Sequence, residues 1–297
     1  MSIQPLITLG VTLSNFLMVL TVGMRVVPAD LTCVLSKPWS LGRSLFAINV
    51  LGPVIAVVVC KTFSLHHAVE LGLVALAIAP VNALFSKDML PLVAHGHEAF
   101  ARGIFFASTV LSVILTPLAV EVLDLIFGAH VHVNPFTVGA LVVSSVLLPL
   151  GIGLAISHSW PAAKQSIPRI QQVSALMLLI CVVPILIAAW PLLAQVVWNG
   201  TFPAIISMAL VGLATGHLLG GPDEDGRTVL AFATISRHPG VAIAIASLTE
   251  EKLAPVGVLL AVLVSGLAVV PYKVWRKRLQ APEVARPGQS RPSPRPH

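Results

Sequence analysis

The stretch TVLAFATISRHPGVAIAIASLT, Thr228 to Thr249, is apolar over enough residues to cross a bilayer, yet its centre reads Arg237-His238-Pro239-Gly240. A charge at mid-membrane costs roughly 2.5–3.5 kcal/mol on insertion scales and is retained where it faces a polar cavity or a partner. Proline removes a backbone donor and glycine relaxes the backbone, so Pro239 and Gly240 predict a helix break where no water can satisfy the loosened groups. A broken, charged span predicts a transport site, with Arg237, His238 and Pro239 as candidate substrate-binding residues.

The rest of the chain has a matching composition. Of 297 residues, 56% are hydrophobic and only 10% charged, against about 25% charged in soluble domains. The formal charge of +6 does not indicate nucleic acid, because seven of the eighteen Lys and Arg lie between Lys273 and Arg295. That concentration reads as a topology signal. Cys33, Cys60 and Cys181 have no metal-ligand spacing and read as small apolar packing residues.

Hydropathy, taken at about 20 residues per crossing, predicts an all-α polytopic membrane protein. Nine transmembrane helices are expected near 4–26, 39–61, 66–96, 98–127, 135–157, 168–196, 202–220, 227–249 and 254–275. Together they make one transporter domain over 1–279, followed by a Pro-rich tail, 280–297, expected to be disordered. The third segment is too long for one simple helix, and Ala79-Pro80-Val81-Asn82 in its middle predicts a second break, at Pro80. Placing the basic tail in the cytoplasm gathers Arg25, Lys37, Arg43, Arg102, Lys164, Arg169 and Arg227 on the same side, which sets the N-terminus outside and the C-terminus inside. Compact loops and the lack of a targeting signal predict a prokaryotic cytoplasmic membrane.

Pro80 and Pro239 sit in the third and eighth segments, each followed by one further span before its half of the chain ends. The offset of five spans is odd, so corresponding spans cross in opposite directions, and the halves are expected to be inverted repeats. Such repeats place discontinuous helices, and the substrate and ion sites at their ends, near the midplane. The bland alternative is that each proline only kinks a packed helix. Asn82 is a candidate substrate ligand or a partner for loose backbone beside Pro80. Lys87 either contacts substrate or snorkels to the interface. Asn49 either lines the cavity or bonds across helices. Glu98 and Arg102, four residues apart, predict a local pair.

Val22-Gly23-Met24, Pro28-Ala29-Asp30-Leu31, Lys37-Pro38 and Pro53 resemble, in order and spacing, the second and third helices of the bile acid:sodium symporter family. Ala79-Pro80, the turn near Gly96, Ser108 to Thr116-Pro117, Leu148-Pro149 through Gly151 and Gly153, Arg227-Thr228 and Gly240-Val241-Ala242 continue the likeness, over about 10–275. The resemblance implies a core domain built on two discontinuous crossed helices, a panel domain from the rest, and sodium-coupled uptake of organic anions by alternating access. It also implies an oxygen cage for sodium, to which Ser86, Ser108, Ser112 and Thr234 correspond here. No cofactor is expected apart from sodium as a coupling ion. The partners expected are a small organic anion and the lipid bilayer; nothing in the sequence sets an oligomeric state.

The chain departs from that pattern at the breaks. The family's sodium-binding glutamate falls at Ala233 and its Gln-Asn pair at Arg237-His238, while Lys87 falls where an ion-binding amide is expected. Arg237, and Lys87 with it, can supply fixed positive charge in place of sodium, and a guanidinium fork suits carboxylate, phosphate or sulfate. The expectation is therefore a secondary carrier of a small organic anion, sodium-coupled as the resemblance implies but without the usual sodium-site glutamate, with a proton-coupled carrier using His238 or an uncoupled carrier as alternatives. A channel, a sensor or a membrane-embedded enzyme are readings of other classes. The enzyme reading lacks a nucleophile or a cluster of acids and histidines at one depth.

Overall fold

A computed structural model describes residues 3–82, 98–127, 134–197 and 200–280. Ser86, Lys87, the second half of the 66–96 segment and the tail beyond Gln280 lie outside the described residues. Within them every predicted segment is helical. We label α1 Ile3–Arg25, α2 Pro28–Leu35, α3 Pro38–Thr62, α4 His67–Ile78, α5 Glu98–Phe127, α6 Phe136–Ser159, α7 Ile167–Val196, α8 Thr201–Leu219, α9 Glu224–Ile235, α10 Pro239–Ala246, α11 Ala254–Ala268 and α12 Val270–Gln280. Among the described residues six helical stretches are long and apolar enough to cross a membrane, beginning at Pro38, Ala99, Phe136, Pro161, Thr201 and Ala254. The apolar parts of α1 and α4, at Leu9–Arg25 and His67–Ile78, are shorter.

Large apolar side chains stand exposed along these helices, among them Leu9, Ile114, Leu118, Ile187 and Leu218. In water they would form a patch beyond what a soluble monomer carries, whereas lipid solvates them. With no hydrophobic drive between helices inside lipid, close backbone packing and interhelical hydrogen bonds hold the bundle. Gly23 of α1 lies against the Leu150 backbone of α6, and Gly153 of α6 against the Leu20 backbone of α1. The hydroxyls of Ser14 and Ser174 each donate to the other residue's carbonyl at 2.7 Å, joining α1 to α7. A second glycine pair, Gly72 and Gly257, brings α4 and α11 together. Helices α1, α6 and α7 thus form one group, while α4, α8, α9, α10 and α11 pack around the two breaks.

The short helix α2 has no counterpart among the predicted spans. Its Asp30 accepts from the Val27 N–H at 3.0 Å, capping the helix start. Arg102 of α5 closes on the same carboxylate with two bonds of 3.0 Å. The guanidinium fork therefore ties α5 to α2, beyond any bond along its own helix.

Candidate functional site

Both predicted breaks are present, and they meet. Helix α4 ends at Ile78 and the chain runs extended through Pro80 and Val81; α9 ends at Ile235 and α10 begins at Pro239. Broken helices leave backbone donors and acceptors that lipid cannot satisfy. Here the two interruptions satisfy each other: Val81 and Arg237 form an antiparallel bridge, Asn82 N–H donates to the Ser236 carbonyl at 2.9 Å, and His238 N–H donates to the Pro80 carbonyl at 2.8 Å. Thr116 of α5 adds its hydroxyl to the Ile78 carbonyl at 3.0 Å, closing the end of α4.

Arg237 lies at this crossing, only 6% exposed. Its Nε donates to the Thr234 carbonyl and its Nη1 to the Ala79 carbonyl, each at 3.2 Å, and its Nη2 donates to the Ile48 carbonyl of α3. Two of these acceptors sit at the C-terminal ends of α9 and α4, where the helix dipoles favour a cation. Hydrogen bonds to a charged group contribute about 1.5–3 kcal/mol each, so three of them are enough to offset the roughly 2.5–3.5 kcal/mol insertion cost.

The third acceptor arises from a local irregularity in α3. Residues Ala47–Leu51 form a π turn, in which Gly52 N–H bonds the Ala47 carbonyl. In that register the donor for Ile48 would come from residue 53, which is proline and has none. The Ile48 carbonyl is left for Arg237. Gly52 makes the approach feasible, since a Cβ there would lie 2.4 Å from Arg237 Nη2.

His238, 2% exposed, caps α10: its Nδ1 accepts from the Val241 N–H at 3.3 Å. Pro239 occupies the first turn of that helix, where a missing N–H costs nothing. The Thr234 hydroxyl lies 2.8 Å from the Ala231 carbonyl and 2.9 Å from the Gly212 carbonyl of α8. Asn49 donates to the Leu45 carbonyl of its own helix at 3.1 Å and faces a small gap beside Ala77 and Thr116. On α5, Ser112 donates to the Thr109 carbonyl at 2.7 Å, while the buried Ser108 hydroxyl has no hydrogen-bond partner among the described residues.

A 270 Å³ cavity borders the crossing, lined by Asn82, Ser236, Arg237, Ser265, Lys273 and Phe232 among others. The Lys273 ammonium stands 5.7 Å from the Phe232 ring centroid. The structure thus brings Asn82 and Arg237 together at one cavity, places Asn49 and Thr116 at a separate gap, and adds Ser236, Ser265 and Lys273. Nothing in the sequence marks Ser236 or Ser265 as lining residues, and Lys273 reads there as part of the basic topology signal. Its one available clue was position: Lys273 follows Ser265 by two helical turns, and so shares a helix face with it. Among the described residues no group of histidine, cysteine and acidic side chains is placed to hold a metal ion.

The family model for the Sodium Bile acid symporter family matches residues 12–196. The match includes α4 and the position of Lys87 but stops before α9, where Ala233 and Arg237-His238 depart from the family's pattern. No curated protein matches the chain. Members of the matched family are transporters, not enzymes. The matched residues span more than half of the 297-residue chain, and the chain belongs to the Sodium Bile acid symporter family.

Proposed function

We propose that this protein is a secondary carrier that moves a small organic anion across the membrane by alternating access, with the cavity beside the crossing as the place where the anion binds. The observation that carries this is the cavity's lining: Arg237 and Lys273 contribute positive charge, Asn82, Ser236 and Ser265 contribute polar groups, and among the described residues none that lines it is acidic. An anion fits that field and a cation does not. Its volume is slightly below the roughly 300–1,000 Å³ of drug-sized pockets, which favours a small carboxylate, sulfate or phosphate.

In this reading the chain crosses a prokaryotic cytoplasmic membrane nine times, the N-terminus lies outside, and the halves are inverted copies meeting at Pro80 and Pro239. Alternating access moves the group α1, α6 and α7 against the helices around the crossing. Uptake of labelled organic anions into proteoliposomes tests the site. Saturable uptake is expected, with Lys273→Gln raising KM about tenfold, equivalent to about 1.4 kcal/mol. Unchanged KM in that variant removes Lys273 from the site.

A further inference from the structure

We propose that Arg237 is a built-in replacement for a coupling cation: its guanidinium fills a seat of carbonyl oxygens at the crossing, so no sodium ion binds there and anion movement is independent of sodium. This rests on the carrier reading above.

The seat is defined by three backbone oxygens from three separate stretches of chain, those of Ala79, Thr234 and Ile48. Carbonyl oxygens converging from helix ends and unwound backbone are the ligand type that holds sodium in discontinuous-helix transporters. Each oxygen here is given to a different nitrogen of one side chain. The site is built for this occupant. Gly52 makes room for Nη2, the π turn with Pro53 leaves the Ile48 carbonyl unpaired within α3, and the bridge at Val81 holds Arg237 in register with the loop that ends α4. The gap on this side of the crossing, beside Gly52 and Met208, has a volume of only 30 Å³. That has room for about one water, and charge rather than space keeps a second cation out of it. Among the described residues no carboxylate lines it, so an added sodium ion would meet an uncompensated positive charge.

A side chain fixed to the protein differs from a bound ion in one functional respect. It balances the anion's charge during transport but is not itself carried, so an ion gradient does no work through it. Loss of the charge should open the seat to small cations from solution.

Thermal unfolding of the purified full chain tests this, in sodium chloride against choline chloride, for the wild type, Arg237→Gln and Arg237→Lys. The wild type is expected to have the same Tm in both salts. Arg237→Gln is expected to unfold several degrees lower in choline and to recover saturably when sodium or methylguanidinium is added; Arg237→Lys should lose less. A saturable, sodium-specific rise in wild-type Tm overturns the proposal, as does a folded Arg237→Gln that recovers with neither cation. Should Arg237→Gln fail to fold, Gly52→Ala gives the second reading. Crowding Nη2 is expected to lower Tm without creating sodium dependence, because the guanidinium charge remains; a variant with wild-type Tm overturns the proposal. Uptake separates the two claims. Sodium-dependent uptake sinks the fixed-cation inference and leaves the carrier standing, whereas no uptake in either salt sinks the carrier and leaves the Tm comparison to decide the seat.

Discussion

Arg237 Nη1 donates to the Ala79 carbonyl at 3.2 Å, so a side chain from the second broken helix closes the end of the first, 158 residues away in the chain. The same residue pairs with Val81 through its backbone. The side chain of Arg237 and the backbones of its neighbours Ser236 and His238 therefore tie the two interruptions together.

The polar side chains around the crossing divide into those that satisfy backbone and those that satisfy nothing. Thr116→Val removes the side-chain donor to the Ile78 carbonyl and should cost about 1–3 kcal/mol, the penalty for an unpaired buried acceptor. Ser108→Ala removes a buried hydroxyl that has no partner among the described residues, and should leave Tm unchanged or raised. Thermal unfolding of the two variants side by side checks the contrast; equal losses would contradict it.

The Asp30–Arg102 fork is a bidentate ion pair between α2 and α5. Asp30 is 1% and Arg102 20% exposed, so the pair lies between a buried bridge, whose breakage costs about 3–5 kcal/mol, and a surface one worth under about 1 kcal/mol. Asp30→Asn should cost about 2–3 kcal/mol, with Arg102→Gln slightly milder because the Val27 cap survives. The reversed double variant should recover part of the loss. Double-mutant Tm values that simply add would show the two residues to be uncoupled.

Glycines in this bundle differ by what faces them. At Gly72 a Cβ would lie 2.6 Å from the Gly257 and Val258 backbone, which cannot yield as a side chain can, and Gly72→Ala should cost about 1–3 kcal/mol. At Gly42 nothing lies within 4 Å, and Gly42→Ala should gain up to about 1 kcal/mol from helix propensity. A tolerated Gly72→Ala would mean that α4 and α11 are not in backbone contact.

Acid should loosen the start of α9. The Arg276 guanidinium, hydrogen-bonded to Glu224, holds that carboxyl below its ordinary value of 4.5, with charge from Arg276 and Arg227 adding to the effect. A depressed carboxyl contributes stability that is fully present above the unfolded value and is lost as pH falls through the folded one. The pair's contribution should therefore fade as pH drops below about 4.5, and Arg276→Gln should flatten that part of the profile. Because Glu224 is largely exposed, the amplitude should be small and should shrink with salt. Hydrogen exchange at the α9 N-terminus against pH reads it; a profile unaltered by Arg276→Gln would contradict the assignment.

Much of the fold can be read from the chain because its signals are coarse. Apolar runs of membrane length predict helices such as α3, α5 and α8, and Pro80 and Pro239 mark breaks that the structure has at Ala79–Asn82 and Ser236–His238. The meeting of those breaks followed from the repeat argument and the family resemblance, not from any local pattern. What could not be read depends on backbone geometry. The Ile48 carbonyl becomes an acceptor only because a π turn precedes Pro53, and sequence periodicity does not distinguish a π turn from ordinary helix. Arg237 reads as a charge in search of a ligand, yet its partners are three carbonyls, which carry no residue identity. Lys273 was absorbed into the basic tail because its place at a cavity depends on how α11 and α12 lie against α9. Lys87 and Ser86 remain candidates outside the described residues.

Counterflow tests the carrier most directly. Proteoliposomes preloaded with an unlabelled small organic anion, and diluted into a trace of the same labelled anion, should accumulate label transiently above equilibrium, to the same extent in sodium as in potassium. Arg237→Gln, reconstituted as folded protein, should lose most of that overshoot. Label that merely equilibrates, without saturation or overshoot at any anion in the panel, would contradict the claim that this chain is a carrier.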